Sequence, residues 1–224
     1  MTPFASVRPV IAAVSDGDPH GESQQARCDA LVGWAGRVAS AGVDVIQLRE
    51  RSLDDRHLAD VVRVIVGLAH AQGVRVLVNE RIDVALVAHA DGVHLPAAAP
   101  AAARVRTIVP RRFVIGRSVH SVAEAEAAAA ACDYLLFGTV FPSTRKPGHA
   151  AAGTRALADV CGRVTVPVLA IGGIGRANAA EVWASGAAGV AAITLFADRL
   201  DEGDHTLSDT VSLLRRAFDR HAAS

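Results

Sequence analysis

The sequence has few cysteines, few aromatic residues and no excess of charge of one sign. Among its 224 residues are three cysteines, six Phe, two Trp and one Tyr. The cysteines, at positions 28, 132 and 161, are odd in number and lack metal-type spacing, which argues against a disulfide framework and favours a reducing cytoplasm. The 23 basic residues balance the 23 acidic ones, so we expect neither nucleic acid nor anionic lipid as a partner.

Long hydrophobic runs are also missing. No stretch approaches the roughly 18–20 apolar residues that cross a bilayer. Residues 1–9 lack the basic segment followed by an apolar segment that marks a secretory signal. We therefore expect a cytoplasmic protein without membrane association. Although 51% of the residues are apolar, many are alanines, as in residues 97–103 and 127–131, so the composition reflects small side chains.

Short runs rich in Val, Ile and Leu recur along the chain and are continuous rather than alternating. Such runs are typical of parallel strands that are buried on both faces. The eight runs are residues 8–14, 43–48, 74–79, 92–95, 113–118, 134–140, 166–171 and 189–194. Between them lie helical stripes, for example Leu58, Val61, Val62 and Ile65, with the spacing of a helix packed on a sheet.

Eight strands that alternate with helices over about 200 residues predict an α/β fold, a single (β/α)8 TIM barrel. No linker divides the chain, so residues 1–224 are read as one domain. The alternative is a doubly wound open sheet, because periodicity does not show whether a sheet closes. In a barrel the active site lies among the loops that follow the strands. Irregular segments at residues 16–23, 96–100 and 142–153 each follow a predicted strand.

Polar residues at the ends of the predicted strands would converge on one mouth of the barrel. Gln47, Asn79 and Ser118 are among them, and long basic side chains add positive charge. Arg49, Arg51 and Lys146 would suit an anionic small molecule, because unpaired charges are not tolerated inside an apolar barrel. The alternative is that the two arginines simply pair with nearby acids, Glu50, Glu80 or Asp54.

Glycines at the end of the seventh predicted strand suggest a phosphate site. Gly172 and Gly173 would let the backbone approach a ligand, and Ile193 and Thr194 end the neighbouring eighth strand. Phosphate sites after strands seven and eight recur in barrels of this kind. A tight turn without a ligand would use the same glycines, so the position in the fold carries the prediction.

His120 follows the fifth predicted strand and is a candidate acid or base, since imidazole exchanges protons near neutral pH. The alternative is that it caps the next helix or hydrogen-bonds a neighbour. His94 lies within its strand and is read as a core histidine. No set of Cys, His and acidic residues has zinc spacing.

Six motifs, taken in order, resemble the thiamin phosphate synthase/TenI superfamily of (β/α)8 barrels over residues 8–197. They are the segments at 46–51, 78–85, 91–95, 133–141, 146–148 and 170–174. The resemblance implies thiamin biosynthesis, a phosphorylated thiazole as ligand and a homodimer. It also implies one of two activities.

Thiamin phosphate synthases of this superfamily join a pyrimidine pyrophosphate to a thiazole phosphate with Mg²⁺. Their usual pattern has lysine at position 51, aspartate at position 80 and Gly-Gln-x-Asp at positions 96–99. This sequence has Arg51, Glu80 and Pro-Ala-Ala-Ala instead. Alanine supplies no oxygen ligand for Mg²⁺. On that ground the sequence favours the TenI-like branch, a metal-independent thiazole tautomerase and therefore an isomerase without a cofactor.

In the tautomerase interpretation, His120 would move a proton from the thiazole ring to its exocyclic carbon. Arg49, Arg51 and Lys146 would compensate the carboxylate and phosphate charges. Gly172, Gly173, Ile193 and Thr194 would receive the phosphate, and Gln47, Asn79 and Ser118 would hydrogen-bond the ring or carboxylate. Two alternatives remain at this point. One is a thiamin phosphate synthase, which would need Mg²⁺, and the other is a non-catalytic thiazole-phosphate-binding regulatory barrel.

Overall fold

Eight parallel strands form one closed barrel in this computed structural model, which describes residues 4, 8–17, 23–143, 148, 150–197 and 206–222. The strands are β1 Val10–Val14, β2 Val45–Leu48, β3 Arg75–Asn79, β4 Gly92–Leu95, β5 Val114–Val119, β6 Tyr134–Gly138, β7 Val168–Ile171 and β8 Gly189–Ala192. Each strand pairs with the next, and β1 pairs with β8 through Val10 opposite Gly189. The predicted (β/α)8 TIM barrel is therefore confirmed, and the open-sheet alternative is wrong.

A helix follows each strand. The helices are α1 Gln24–Ser40, α2 Asp55–His70, α3 Ile82–Val87, α4 Ala102–Arg106, α5 Val122–Ala129, α6 Gly153–Cys161, α7 Ala179–Ala184 and α8 Leu207–Ala222. Within the described ranges, none of them is long and apolar enough to cross a membrane. The extent of the domain over residues 1–224 stays a prediction, because parts of that range lie outside the described residues.

The continuous apolar runs predict the strands because both faces of the barrel wall are covered. One face packs inside the barrel, where Val14, Val45, Leu77 and Leu136 belong to one buried cluster. The opposite face packs under the helices, and the α2 stripe Leu58–Val61–Val62–Ile65 is buried there as its spacing predicts. The last strand is shorter than predicted, because Ile193 has helical backbone angles and a 3₁₀ turn, Thr194–Phe196, follows it.

Candidate active site

A cavity of about 600 Å³ opens at the carboxyl ends of the strands, a volume within the usual range of small-molecule sites. Most of the predicted site residues line it. They are Gln47, Arg49, Arg51, Asn79, Ser118, His120, Gly172, Gly173, Ile193 and Thr194. Lys146, the remaining predicted residue, lies outside the described residues. The closed barrel thus brings together residues from five different strand ends.

Gln47 and Asn79 form a hydrogen-bonded pair on the cavity floor. Gln47 is buried, and its Nε2 donates to the Oδ1 of Asn79 at 3.0 Å. The adjacent strands β2 and β3 place the two amides side by side. Oδ1 of Asn79 accepts this hydrogen bond, which leaves its amide N–H groups available to donate to a ligand.

The Glu50 carboxylate is occupied by groups outside the cavity. It accepts three hydrogen bonds from the Arg27 guanidinium at 2.8–2.9 Å, from Nε to one oxygen and from Nη2 to both, and a fourth from the Ser15 hydroxyl at 2.7 Å. Ser15 Oγ in turn accepts from the Arg49 backbone N–H at 2.8 Å. A bidentate pair of this kind is strong and directional. It fixes the turn after β2, which carries both cavity arginines.

The cavity arginines differ in how firmly they are held. Arg49 is half-buried, and its Nη1 donates to the backbone carbonyl of Asp16 at 3.2 Å. Arg51 is exposed and forms no hydrogen bond or ion pair with any residue that the structure describes. The alternative pairing of Arg51 with Glu50, Glu80 or Asp54 is therefore wrong. Its guanidinium is available to an anionic ligand in the cavity.

The turn after β7 forms the opposite wall, three strands around the barrel from β2. Gly173 has φ +64°, and a Cβ there would lie 2.4 Å from the Pro142 carbonyl oxygen. Only glycine fits such a position without displacing the neighbouring backbone. Asn178 holds the turn, since its Oδ1 accepts from the Gly175 N–H at 2.8 Å and its Nδ2 donates to the Gly173 carbonyl at 2.9 Å.

His120 lies at the rim, after β5. Its Nδ1 is 2.5 Å from the carbonyl oxygen of Gly138, and its backbone N–H donates to Glu124. A carbonyl only accepts, so Nδ1 carries the proton of this hydrogen bond. Ser121 rather than His120 is the N-cap of the next helix and accepts from the Glu124 N–H. The other form of the alternative, a hydrogen bond to a neighbour, is present in the contact with Gly138.

Three features of the site escape the sequence pattern. Asn178 looks like an ordinary residue at a helix start, and Ser15 looks like the end of a strand. His94 is read as core, but it lines the cavity and hydrogen-bonds Ser118. Asn and Ser are frequent at turns, which is the only sequence signal for the first two. The groups that these residues hydrogen-bond are either distant in the sequence or lie in turns whose shape the sequence does not give.

A magnesium site of the synthase pattern does not fit these residues. Glu80 is exposed and does not line the cavity, and position 99 is an alanine. Backbone carbonyls of Ala97, Ala99 and Pro100 accept hydrogen bonds from Arg117 at 2.8–3.1 Å. Within the described ranges no cluster of three His, Cys or acidic residues could hold a metal ion. Mg²⁺ prefers several hard oxygen ligands, which this loop does not supply.

The fold and the cavity define a (β/α)8-barrel protein whose site suits a small anionic ligand. The chain belongs to the TMP-TENI family, described as thiamine monophosphate synthase, whose family model matches residues 22–196. Members of the family act in thiamin biosynthesis on small phosphorylated substrates. The superfamily that the six motifs indicate is thereby confirmed.

Relatives over most of the chain carry synthase names. A thiamine-phosphate synthase from Methanoculleus marisnigri is 43% identical over 192 residues, 84% of this chain and 86% of that protein. One from Roseiflexus sp. is 35% identical over 86% of this chain and 80% of that protein. The structure of a thiamine phosphate pyrophosphorylase from Pyrococcus furiosus superposes with a TM-score of 0.77 at 28% identity, over 95% and 96% of the two chains.

These relatives overturn the tautomerase prediction, and with it the prediction of an isomerase. The six motifs belong to a barrel scaffold that both activities share, so they do not distinguish the two. The sequence argument for the TenI-like branch depended on the Pro-Ala-Ala-Ala stretch at 96–99. That stretch removes oxygen ligands for a metal, but the loss of a ligand does not create a proton-transfer site. His120 lines the cavity, but its position there does not show which of the two reactions occurs.

Proposed function

We propose that the chain is a thiamine-phosphate synthase, which joins hydroxymethylpyrimidine pyrophosphate to a thiazole phosphate and releases pyrophosphate. One structural observation supports the proposal. A single cavity has arginines on the β2 side and a glycine turn on the β7 and β8 side. Two separate anion-binding walls suit two phosphorylated substrates whose reacting atoms meet between them. The names of the relatives support the same activity.

The reaction makes one bond and breaks one. The thiazole ring nitrogen bonds to the methylene carbon of the pyrimidine, and the bond from that carbon to the pyrophosphate oxygen breaks. The nitrogen becomes quaternary and the bond electrons leave with pyrophosphate, so no proton needs to move. Negative charge grows on the leaving oxygen, where Arg49 and Arg51 would stabilise it. His120 would therefore serve as a hydrogen-bond partner rather than as a base.

The glycine wall would hold the second substrate. In this proposal Gly172, Gly173, Ile193 and Thr194 bind the thiazole phosphate through backbone N–H groups and the Thr194 hydroxyl. Gln47, Asn79 and Ser118 would orient the pyrimidine and its pyrophosphate, and Lys146 would add positive charge. Holding both reactants in one orientation lowers the entropic part of the barrier.

Magnesium, which the resemblance implies for a synthase, would accompany pyrophosphate in the reaction. The residues described here do not reproduce the carboxylate pair of the synthase pattern, so no catalytic step is assigned to a protein-bound metal. Arginine side chains offset phosphate charge without a metal. We propose that they carry a larger share of that task in this chain.

The deciding experiment incubates the protein with both substrates and follows pyrophosphate release and thiamine phosphate formation by mass spectrometry. Arg51→Ala should lower kcat/KM about 10- to 100-fold, since a charge-assisted hydrogen bond contributes about 1.5–3 kcal/mol. Arg63→Ala is the matched control, because Arg63 pairs with Asp60 on the outer surface of α2. No product above background, or equal activity of the Arg51 variant, would contradict the proposal.

A homodimer in the cytoplasm remains a proposal that the resemblance and the cysteine content support. The absence of nucleic acid among its partners also remains a proposal. Sedimentation equilibrium measures the mass of the assembly directly, and a monomer at micromolar concentration would overturn the dimer.

A further inference from the structure

His94 lies in the barrel interior below the cavity, although its strand is otherwise apolar. Its side chain is 2% exposed. Nδ1 lies 2.9 Å from the Tyr134 hydroxyl and Nε2 lies 2.8 Å from Ser118 Oγ. Both ring nitrogens are therefore paired, one with a group deep in the barrel and one with a group at the cavity floor. This arrangement connects the barrel core to the site.

The imidazole is neutral in this environment. Burial lowers the pKa of His94 to about 3, and the nearby positive charge of Arg117 acts in the same direction. Burial also raises the pKa of Tyr134, so its hydroxyl keeps its proton. A neutral imidazole has one donor nitrogen and one acceptor nitrogen. The ring therefore donates a hydrogen bond at one nitrogen and accepts one at the other, so the direction of the first bond fixes the direction of the second.

The surroundings of Tyr134 set that direction. Its ring packs against Phe4 and belongs to the apolar cluster inside the barrel. Among the described residues its hydroxyl has no hydrogen-bond partner except His94. If His94 donated to it, the phenolic proton would be buried without an acceptor, which is unfavourable. Tyr134 therefore donates to Nδ1, and Nε2–H donates to Ser118.

Ser118 then has its proton left for the cavity. Its Oγ already accepts from His94, and the described residues offer it no other hydrogen-bond partner. Ser118 is half-buried and lines the cavity, where a ligand or water accepts from it. The hydrogen bond from His94 uses a lone pair of Ser118 Oγ and not the hydroxyl proton, so that proton remains available to an acceptor in the cavity.

We propose that Tyr134 and His94 are positioning residues that fix the Ser118 hydroxyl as a hydrogen-bond donor to the substrate. The group it recognises is an acceptor atom, such as an oxygen of a phosphorylated substrate. The proposal rests on the proposed function only in taking this cavity as the substrate site.

The first test needs no enzymatic activity. In protein labelled with ¹⁵N at histidine, two-bond ¹H–¹⁵N correlation spectra identify the protonated ring nitrogen. His94 should carry its proton on Nε2 and keep a bare Nδ1 at neutral pH. His94→Gln serves only to assign the signal. A proton on Nδ1, or a doubly protonated ring, overturns the proposal. If this tautomer is found but no synthase product forms, the positioning role of Tyr134 and His94 is supported and the proposed function fails.

The second test is a double-mutant cycle read as kcat/KM of the synthase reaction. Ser118→Ala and His94→Phe should each lower kcat/KM about tenfold or more, because each loses the oriented donor. The double variant should lose no more than Ser118→Ala alone, since His94 acts only through Ser118. His94→Gln, whose amide nitrogen can replace Nε2–H, should recover most of the activity. Additive losses, or no recovery with glutamine, would show a merely structural role and overturn the proposal.

Discussion

His94 and His120 both line the cavity, but their partners give them opposite tautomers. His120 donates from Nδ1 to a backbone carbonyl, whereas His94 accepts at Nδ1 from a phenol. Sequence patterns place His120 after its strand and His94 within its strand, and they correctly locate the cavity. They do not give the partners, because Gly138 and Tyr134 come from a different strand. The assignment of His94 as a core residue correctly predicts that its side chain is buried. It does not predict that the ring also lines the cavity and hydrogen-bonds Ser118.

Acid should destabilise the protein partly through His94. The pKa of the buried ring is about 3, below its ordinary value of 6.5, so the unfolded state binds more protons between these values. The free energy of unfolding therefore falls as the pH drops through this window. From about pH 7.5 to about pH 5 the wild type should lose about 2 kcal/mol more than His94→Gln. Urea unfolding at both pH values measures the difference.

The control for this prediction is His57→Gln. His57 is an exposed histidine on α2 that pairs with Asp54 at the helix N-terminus. It should not reproduce the gain in acid stability of His94→Gln, because it lacks the buried environment. Equal acid sensitivity of wild type and His94→Gln would show that His94 is protonated in the folded protein.

Among the elements, the turns that follow the strands give the cavity its shape. The turn after β7 is built from two glycines with positive φ, and the side chain of Asn178 bridges it from the start of α7. The glycines and their position after a strand predict the turn. The bridge is not predictable, because an asparagine before a helix usually caps that helix. Here no side-chain cap bond forms, and the amide serves the turn instead.

Asn178→Ala should loosen this turn without altering the arginine wall. We expect a higher KM for the thiazole phosphate, about fivefold to tenfold for the loss of two neutral hydrogen bonds. The kcat should change less, since the groups near the leaving pyrophosphate remain in place. Steady-state kinetics with each substrate varied in turn measure both effects.

Asn178→Asp provides the matched comparison. It keeps the acceptor for the Gly175 N–H and loses the donor to the Gly173 carbonyl. An intermediate rise in KM is expected for the thiazole phosphate. A rise confined to the pyrimidine substrate would assign the two walls the other way round.

In the whole molecule, closure between β1 and β8 aligns all the carboxyl ends at one mouth. The other end of the barrel interior is covered by Phe4, which is 2% exposed and lies with its ring centroid 4.4 Å from that of Tyr134. The pattern of predicted strands does not show that a phenylalanine ahead of the first strand is buried. Its burial depends on the barrel being closed, which periodicity alone does not show.

Phe4→Ala should lower the free energy of unfolding by about 3–5 kcal/mol, because it opens a cavity against Tyr134. Phe4→Leu keeps much of the apolar volume and should cost less. Chemical denaturation measures both. An unchanged stability of Phe4→Ala would show that this ring does not pack in the barrel in solution.

The sequence by itself determined the repeated strands and helices and the family, and it predicts an anionic ligand. These follow from periodicity, from the residue types after each strand and from six motifs in order, all of which are local. It did not decide between two activities of one scaffold, and the names of the relatives corrected that prediction. Only the tertiary structure decided which groups are already paired, such as Glu50 with Arg27 and His94 with Tyr134. Hydrogen bonds between strands depend on closure and register, and a linear pattern contains neither.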